Sequence, residues 1–106
     1  MLDAIIIGGG HNGLTCAFYL ARAGMSVTVC EARHVVGGAA VTEEFAPSFR
    51  NSTASYTVSL LQPKVIADMG LVARGYRVIE RPASNYLPLE SDFMMMGGGR
   101  CNASAI

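Results

Sequence analysis

The sequence predicts an α/β fold that begins with a strand–helix–strand unit and continues into a helix and a β-hairpin. Two short apolar runs rich in β-branched residues, Ala4–Ile7 and residues 26–30, predict the first two strands. Between them, residues 14–23 have helical composition and no strand-like alternation. A strand, a helix and a second strand in this order are typical of a parallel sheet.

A glycine cluster joins the first strand to the helix. It reads Gly8-Gly9-Gly10-His11-Asn12-Gly13, which has the G-x-G-x-x-G spacing. Gly8 permits a tight turn, Gly10 removes a side chain where a pyrophosphate must approach the main chain, and Gly13 lets the helix lie close to the strand. The free N–H groups and positive dipole end of the helix then favour a bound phosphate.

An acidic residue completes this pattern. Glu31 ends the second strand, 18 residues after Gly13. Its carboxylate is expected to accept hydrogen bonds from ribose hydroxyls, and its charge would repel a 2′-phosphate, which argues against NADP. The alternative is a structural glycine turn in an unrelated α/β protein. Such a turn would not require a strand before it, a helix and a strand after it, and an acidic residue at the end of the second strand, all of which occur here. The sequence therefore predicts a Rossmann-like dinucleotide-binding unit with a partial parallel sheet.

The composition excludes several other classes of function. The chain has 106 residues, of which 51% are apolar and 15% charged, so we expect one small domain with extensive burial. The formal net charge is zero, which gives no electrostatic reason to expect a nucleic-acid partner or an anionic membrane surface. Residues 4–21 carry no formal charge, but the glycine cluster interrupts them, so we expect no transmembrane segment and no signal peptide.

The cysteines and histidines predict no metal site. Cys16, Cys30 and Cys101 form neither a C-x-x-C motif nor a metal-ligand spacing. They fit a reducing compartment, with Cys16 and Cys30 expected to be buried as small apolar residues. His11 and His34 are isolated from other ligand types.

After residue 38 the local signals are weaker. Residues 39–45 alternate and predict a strand with Glu43 and Glu44 on a solvated face, and residues 47–57 are rich in Ser, Thr and Asn and predict a loop. Apolar residues at helical spacing after Leu60 predict a helix with Pro63 in its first turn and Gly70 at its end.

The last part of the chain predicts strands. Residues 76–80 predict one strand, and residues 85–89 and 93–96 predict a hairpin whose methionines are expected to be buried. The run Gly97-Gly98-Gly99-Arg100 predicts a turn or a flexible tail, since no apolar helix follows it. We accordingly divide the chain into a dinucleotide-binding unit (residues 1–46), the start of a substrate domain (47–96) and a flexible or truncated tail (97–106).

Residues 3–38 resemble the N-terminus of the two-glycine-doublet flavoproteins, which include amine oxidases and phytoene desaturases. In that group the acid is followed by Ala, a short spacer and Gly-Gly; here the run is Glu31-Ala32-Arg33-His34-Val35-Val36-Gly37-Gly38. Residues 37–44 and 55–63 are similar to the carotenoid/retinoid, phytoene desaturase-like branch. Within it they are most similar to the pyridine nucleotide-disulfide oxidoreductase domain-containing protein 2 type. The resemblance covers residues 3–90.

The resemblance implies FAD as the cofactor and an FAD-dependent oxidoreductase of dehydrogenase or desaturase type, which takes a hydride equivalent from a small organic substrate onto flavin. It assigns no catalytic residue. Ala39, Ala40 and residues 52–55 are candidates for the surroundings of the flavin, and a plain surface loop is the alternative for this segment. The candidate cofactor-binding residues are Gly8, Gly10, His11, Asn12, Gly13, Glu31, Ala32, Arg33, Gly37, Gly38 and Ala39.

The sequence departs from the family in two ways. Many members carry Arg after the doublet, where this chain has Ala39. Family members also run to several hundred residues, whereas only two strands of a parallel sheet are evident here. We therefore expect the N-terminal part of a longer enzyme, inactive on its own.

Two other interpretations stay open at this point. One is an NAD-dependent dehydrogenase with the same strand–helix–strand unit, which the doublet argues against. The other is a non-enzymatic, incomplete nucleotide-binding fragment. Disulfide reduction has no support, because that chemistry needs a paired dithiol.

We expect a cytoplasmic location, or a mitochondrial one if a transit segment lies upstream; the sequence does not indicate an oligomeric state.

Overall fold

The structure is a computed structural model, and it describes residues 1–58 and 60–97. The chain forms two compact units, Met1–Gly75 and a second unit that begins at Tyr76. The division of the sequence at residue 46 stays a prediction.

The first unit opens with strand β1 (Ala4–Ile7), helix α1 (His11–Arg22) and strand β2 (Val27–Cys30). The strands pair in parallel, with Ala4 opposite Val27. Alternate residues of both strands are half-buried on the side that α1 covers, while Ile5 and Ile7 on the other side are 59% and 83% exposed. The predicted α/β strand–helix–strand unit is confirmed. The helix begins three residues earlier than expected, because the last part of the glycine cluster forms its first turn.

Helix α1 ends at a glycine in the left-handed region. Gly24 has a φ of 89°, and its N–H donates to the Ala21 carbonyl at 3.0 Å. The Met25 N–H donates to the Leu20 carbonyl at 3.1 Å. These two bonds make a Schellman motif, which satisfies carbonyls at the helix end and returns the chain toward β2.

A 3₁₀ turn (Gly38–Ala40) leads into the antiparallel hairpin of β3 (Thr42–Ala46) and β4 (Phe49–Ser52). The prediction of a loop over residues 47–57 was wrong where β4 lies. The composition of this segment is polar, but the turn at Ser48, with a φ of 66°, returns the chain alongside β3. The Glu44 carboxylate accepts the Ser48 N–H at 3.0 Å and stabilises that turn. Backbone pairing across a short turn therefore outweighs the low β-propensity of the side chains.

Helix α2 (Pro63–Asp68) has Pro63 in its first turn and is followed by Gly70, with a φ of 60°. The helix and both of its end signals were correctly predicted. A second 3₁₀ turn (Val72–Arg74) follows, and Gly75 ends it with a φ of 94°.

Asp68 joins the two helices of this unit. Its Oδ2 accepts hydrogen bonds from the Tyr19 hydroxyl of α1 at 2.7 Å and from Lys64 Nζ at 2.6 Å. Arg22 Nη1 lies 3.5 Å from Oδ1. The bonds from Lys64 and then Tyr19 lower the pKa of Asp68 to about 2, so the carboxylate is ionised over the physiological range.

In the second unit, β5 (Ala83–Pro88) and β6 (Phe93–Gly97) form an antiparallel hairpin. The Leu89 N–H donates to the Asp92 carbonyl at 2.8 Å and closes the turn. The predicted hairpin is confirmed. The strand predicted over residues 76–80 is wrong, because that segment pairs with no other strand among the described residues. In the glycine run, Gly97 ends β6 and the remainder lies outside the described residues.

Burial is much lower than the composition predicts. Val41, at 6% exposure, is the one buried hydrophobic residue in the described part of the chain. Cys16 and Cys30 are exposed, against expectation, and Cys30 lies on the face of β2 opposite α1. The hairpin methionines are also exposed, at 43–48%, because a two-stranded sheet buries neither face without a second layer. Within residues 1–58 and 60–97, no helix is long and apolar enough to cross a membrane.

Candidate dinucleotide-binding site

The glycine loop turns tightly at Gly8 and packs closely at Gly13. Gly8 has a φ of 99°, and its N–H donates to the Cys30 carbonyl at 2.7 Å, which extends the β1–β2 pairing by one residue. A Cβ on Gly13 would lie 2.2 Å from the Gly8 carbonyl oxygen. Both glycines thus have the backbone roles expected of them, and their binding of a cofactor stays a prediction.

The N-terminus of α1 presents main-chain donors to the loop. Gly10 is the N-cap residue, with φ −74° and ψ 174°, and no side chain caps the helix. The first turn contains no acidic residue, and the side chains of His11 and Asn12 are exposed. Because the first N–H groups of a helix have no intrahelical acceptor and lie at its positive end, this terminus suits an anion such as a pyrophosphate.

Glu31 links the end of β2 to the glycine loop. Its Oε2 accepts the Gly9 N–H at 2.7 Å, and its Oε1 accepts the Arg33 N–H at 2.9 Å. These main-chain donors, first Arg33 and then Gly9, lower the pKa of Glu31. The half-buried side chain is therefore an anion held in a fixed orientation beside the loop. Each carboxylate oxygen can accept a further hydrogen bond, as recognition of a ribose hydroxyl requires.

The glycine doublet packs main chain against main chain on the glycine loop. The Gly37 N–H donates to the Gly9 carbonyl at 2.7 Å, and Gly10 and Gly37 form a parallel bridge. A Cβ on Gly38 would lie 2.9 Å from the Gly10 Cα, closer than real Cβ contacts allow. The doublet therefore holds the loop in place, and this close approach explains why glycine is needed there.

Val41 and Glu43 follow the doublet and had no site role in the sequence-based predictions. The buried Val41 lies beneath Gly37, where an added Cβ would come within 2.9 Å of Val41 Cγ2. Glu43 on β3 forms an ion pair with the guanidinium of Arg33. No local pattern marks these two residues, because their importance comes from contacts across the fold; Gly9, whose N–H binds Glu31, was missed for the same reason.

The predicted residues come together at one end of the β1–β2 pair. Four segments lie next to one another in space: the glycine loop, the first turn of α1, the residues after β2 and the doublet. Ala39 lies in the 3₁₀ turn that contains the second glycine of the doublet. Within the described ranges, no three His, Cys, Asp or Glu side chains are grouped to hold a metal ion. The arrangement combines helix N–H groups, a glycine-lined approach and a fixed carboxylate. The residues it brings together are Gly8, Gly10, His11, Asn12, Gly13, Glu31, Ala32, Arg33, Gly37, Gly38 and Ala39.

Comparison with known proteins gives matches over this region. The chain is 48% identical over 87 residues to pyridine nucleotide-disulfide oxidoreductase domain-containing protein 2 of Mus musculus, which covers 82% of this chain and 15% of that protein. It is 51% identical over 73 residues to a limonene dehydrogenase subunit of Castellaniella defragrans, which covers 69% of this chain and 13% of that protein. The resemblance to the first of these types is therefore confirmed. The chain spans about one seventh of the length of these relatives.

No solved structure matches the chain. The family model described as the NAD(P)-binding Rossmann-like domain matches residues 6–74, which include both the glycine loop and the doublet. That range is more than half of the sequence, and it contains the end of β1, all of α1 and β2, and every candidate site residue. The chain belongs to the NAD(P)-binding Rossmann-like domain family.

Proposed function

We propose that this chain is the N-terminal dinucleotide-binding part of an FAD-dependent oxidoreductase that takes a hydride equivalent from a small organic substrate. The observation that carries the proposal is the packing of the doublet on the glycine loop, with Glu31 bonded to the same loop. This packing explains why residues 37 and 38 are glycines, and the family resemblance links this doublet to FAD rather than to NAD. The names of two relatives, an oxidoreductase domain-containing protein and a limonene dehydrogenase subunit, support redox chemistry.

The residues present fit the ADP part of FAD. A Cβ at Gly10 would meet no protein atom nearer than 3.9 Å, so the glycine leaves open space beside the helix N-terminus. The pyrophosphate would occupy that space and accept hydrogen bonds from the first turn of α1. Glu31 would accept hydrogen bonds from the adenosine ribose, since its main-chain donors hold it ionised and oriented.

The flavin, when bound, supplies the acceptor for the hydride equivalent. The contribution of this chain is to bind and orient the ADP part. The backbone of the loop is fixed before binding by Glu31 and the doublet, so little conformational entropy is lost when the cofactor binds. The site thus provides anchoring rather than a catalytic acid or base.

NAD is the second candidate, because the matching family is described as NAD(P)-binding. Its ADP part would use the same loop and the same carboxylate. The anionic Glu31 disfavours NADP in either case, since a 2′-phosphate would lie beside a fixed negative charge.

The test is an FAD titration of the purified chain, followed by flavin fluorescence, with NAD as competitor. Gly10→Ala is the informative variant, because the new methyl group is tolerated by the fold but occupies the space expected for the pyrophosphate. We expect saturable FAD binding to the wild type that only a large excess of NAD displaces, since the two cofactors share only the ADP part, and we expect the loss of this binding in Gly10→Ala with an unchanged thermal melt. Equal FAD binding by the two proteins, or displacement of FAD by an equimolar amount of NAD, would contradict the proposal.

A further inference from the structure

The Glu43 carboxylate has two side-chain partners, Arg33 and Thr53. On β3 its carboxylate pairs with the Arg33 guanidinium, and its Oε2 lies 3.4 Å from Thr53 Oγ1. Thr53 Oγ1 also donates to the Val41 carbonyl at 2.9 Å, which fixes the hydroxyl beside β3. The adjacent Glu44 has a different partner, the Ser48 N–H in the hairpin turn. Only the first of these two carboxylates therefore connects the hairpin to the segment after β2.

Arg33 is held by two different carboxylates. Its main-chain N–H donates to Glu31 Oε1, so its backbone lies beside the acid expected to bind the ribose. Its guanidinium is engaged with Glu43, and both side chains are about 40% exposed. The three side chains carry two negative charges and one positive charge. The arginine whose main chain lies beside Glu31 is therefore already paired, through its side chain, with a second carboxylate.

This pairing bears on which ribose the site accepts. A dinucleotide with a 2′-phosphate places nearly two negative charges at the 2′ position, and an arginine nearby is the usual means of binding it. A guanidinium bound to a carboxylate has its charge offset and its N–H groups partly used. A free 2′-hydroxyl needs only an acceptor, which Glu31 supplies.

We propose that Glu43 is a positioning residue that holds and neutralises Arg33, so that the adenosine end of the site selects a free 2′-hydroxyl over a 2′-phosphate. This inference rests on the proposed dinucleotide function. It adds a specificity determinant that lies on β3, outside the glycine loop and the doublet. Removing the Glu43 charge would release Arg33 and reduce the local net charge from −1 to zero.

The experiment measures the affinities of ADP-ribose and ADP-ribose 2′-phosphate by isothermal titration calorimetry at low salt. In Glu43→Gln we expect the preference for ADP-ribose over its 2′-phosphate to fall by about three- to tenfold, as for charges at a partly exposed site. Glu44→Gln removes the same charge from the neighbouring residue and should leave the ratio near that of the wild type. Arg33→Gln should shift the ratio in the opposite direction, since it leaves the two carboxylates unopposed.

The ratio of the two affinities separates an effect on ligand selectivity from a general weakening of the site. A merely structural role for Glu43 would weaken both ligands together and leave their ratio unchanged, which would overturn this inference while the dinucleotide site stands. Equal changes of the ratio in Glu43→Gln and Glu44→Gln would also overturn it. Absence of ADP-ribose binding to the folded wild-type chain would overturn the proposed function and this inference together.

Discussion

The glycine loop with its doublet and the β5–β6 hairpin are held together in different ways. In the loop region, main-chain groups contact each other directly: Gly37 bonds to Gly9, and Gly38 approaches Gly10 too closely for a side chain. In the hairpin, the ladder and the turn bond hold the strands, while large apolar side chains such as Tyr86 and Met95 stay exposed. Order at the candidate site therefore depends on the close approach of glycines far apart in the sequence and on the Glu31 carboxylate, whereas the hairpin depends on backbone pairing between neighbouring segments.

Gly13→Ala should have the largest effect, because the new Cβ would lie 2.2 Å from the Gly8 carbonyl oxygen. Alanine is favoured over glycine in a helix by about 1 kcal/mol, yet the clash should dominate and cost about 3 kcal/mol or more. We expect a strongly lowered melting temperature by circular dichroism, with loss of FAD binding.

Met95→Ala is the matching change in the hairpin, where a half-exposed side chain is shortened, and it should alter the free energy of unfolding by no more than about 0.5 kcal/mol. Similar melting temperatures for the Gly13 and Met95 variants would contradict the contrast between the two regions.

Gly38→Ala should lower the free energy of unfolding by the next largest amount. Its comparison with Gly70→Ala separates the cost of a left-handed backbone conformation from the cost of a steric clash. Gly38 has a φ of 55° and Gly70 a φ of 60°, so alanine at either site costs about 1 kcal/mol for the left-handed conformation. Only at Gly38 would the Cβ also meet the main chain, at 2.9 Å from Gly10 Cα; at Gly70 nothing lies within 4 Å. Denaturant unfolding should therefore show a greater loss of unfolding free energy for Gly38→Ala than for Gly70→Ala. Equal losses would mean that the packing of the doublet does not stabilise the glycine loop.

The smallest of the three effects is the acid dependence that Asp68 confers on the contact between α1 and α2. Its pKa is lowered from 3.8 to about 2, so its contribution to stability is fully present above pH 3.8 and is lost as the pH falls through about 2. Melting temperatures measured from pH 5 to pH 2 should fall less steeply in Asp68→Asn than in the wild type. Parallel profiles for Asp68→Asn and the wild type would rule out this role.

Much of the fold follows from local patterns in the sequence. The β-branched run of β1, the spacing of the glycines and the Pro63–Gly70 end signals each depend on residues near one another, and the predicted elements are present. The position of β4 could not be predicted from its polar composition, because it depends on pairing with β3.

The candidate site was predictable in its residues but only partly in its connections. The spacing of Gly8, Gly13 and Glu31 identified the loop and its acid. It did not indicate that Glu31 binds the Gly9 N–H, 22 residues away, or that Glu43 pairs with Arg33. Burial was overestimated because composition reports how much apolar surface a chain has, whereas covering the exposed faces of β1 and β6 needs a further layer that the described residues do not supply.

The most direct test of the proposed site is to record the amide spectrum of the ¹⁵N-labelled chain by NMR during an FAD titration. The structure predicts that the amides of Gly10 to Gly13 and of Gly38 shift most, with smaller changes at Gly9 and Arg33, whose N–H groups are already bonded to Glu31. The amides of the β5–β6 hairpin should keep their positions. Shifts concentrated in the hairpin, or a folded chain whose loop amides do not move at saturating FAD, would contradict the assignment of the glycine loop and doublet as the dinucleotide site.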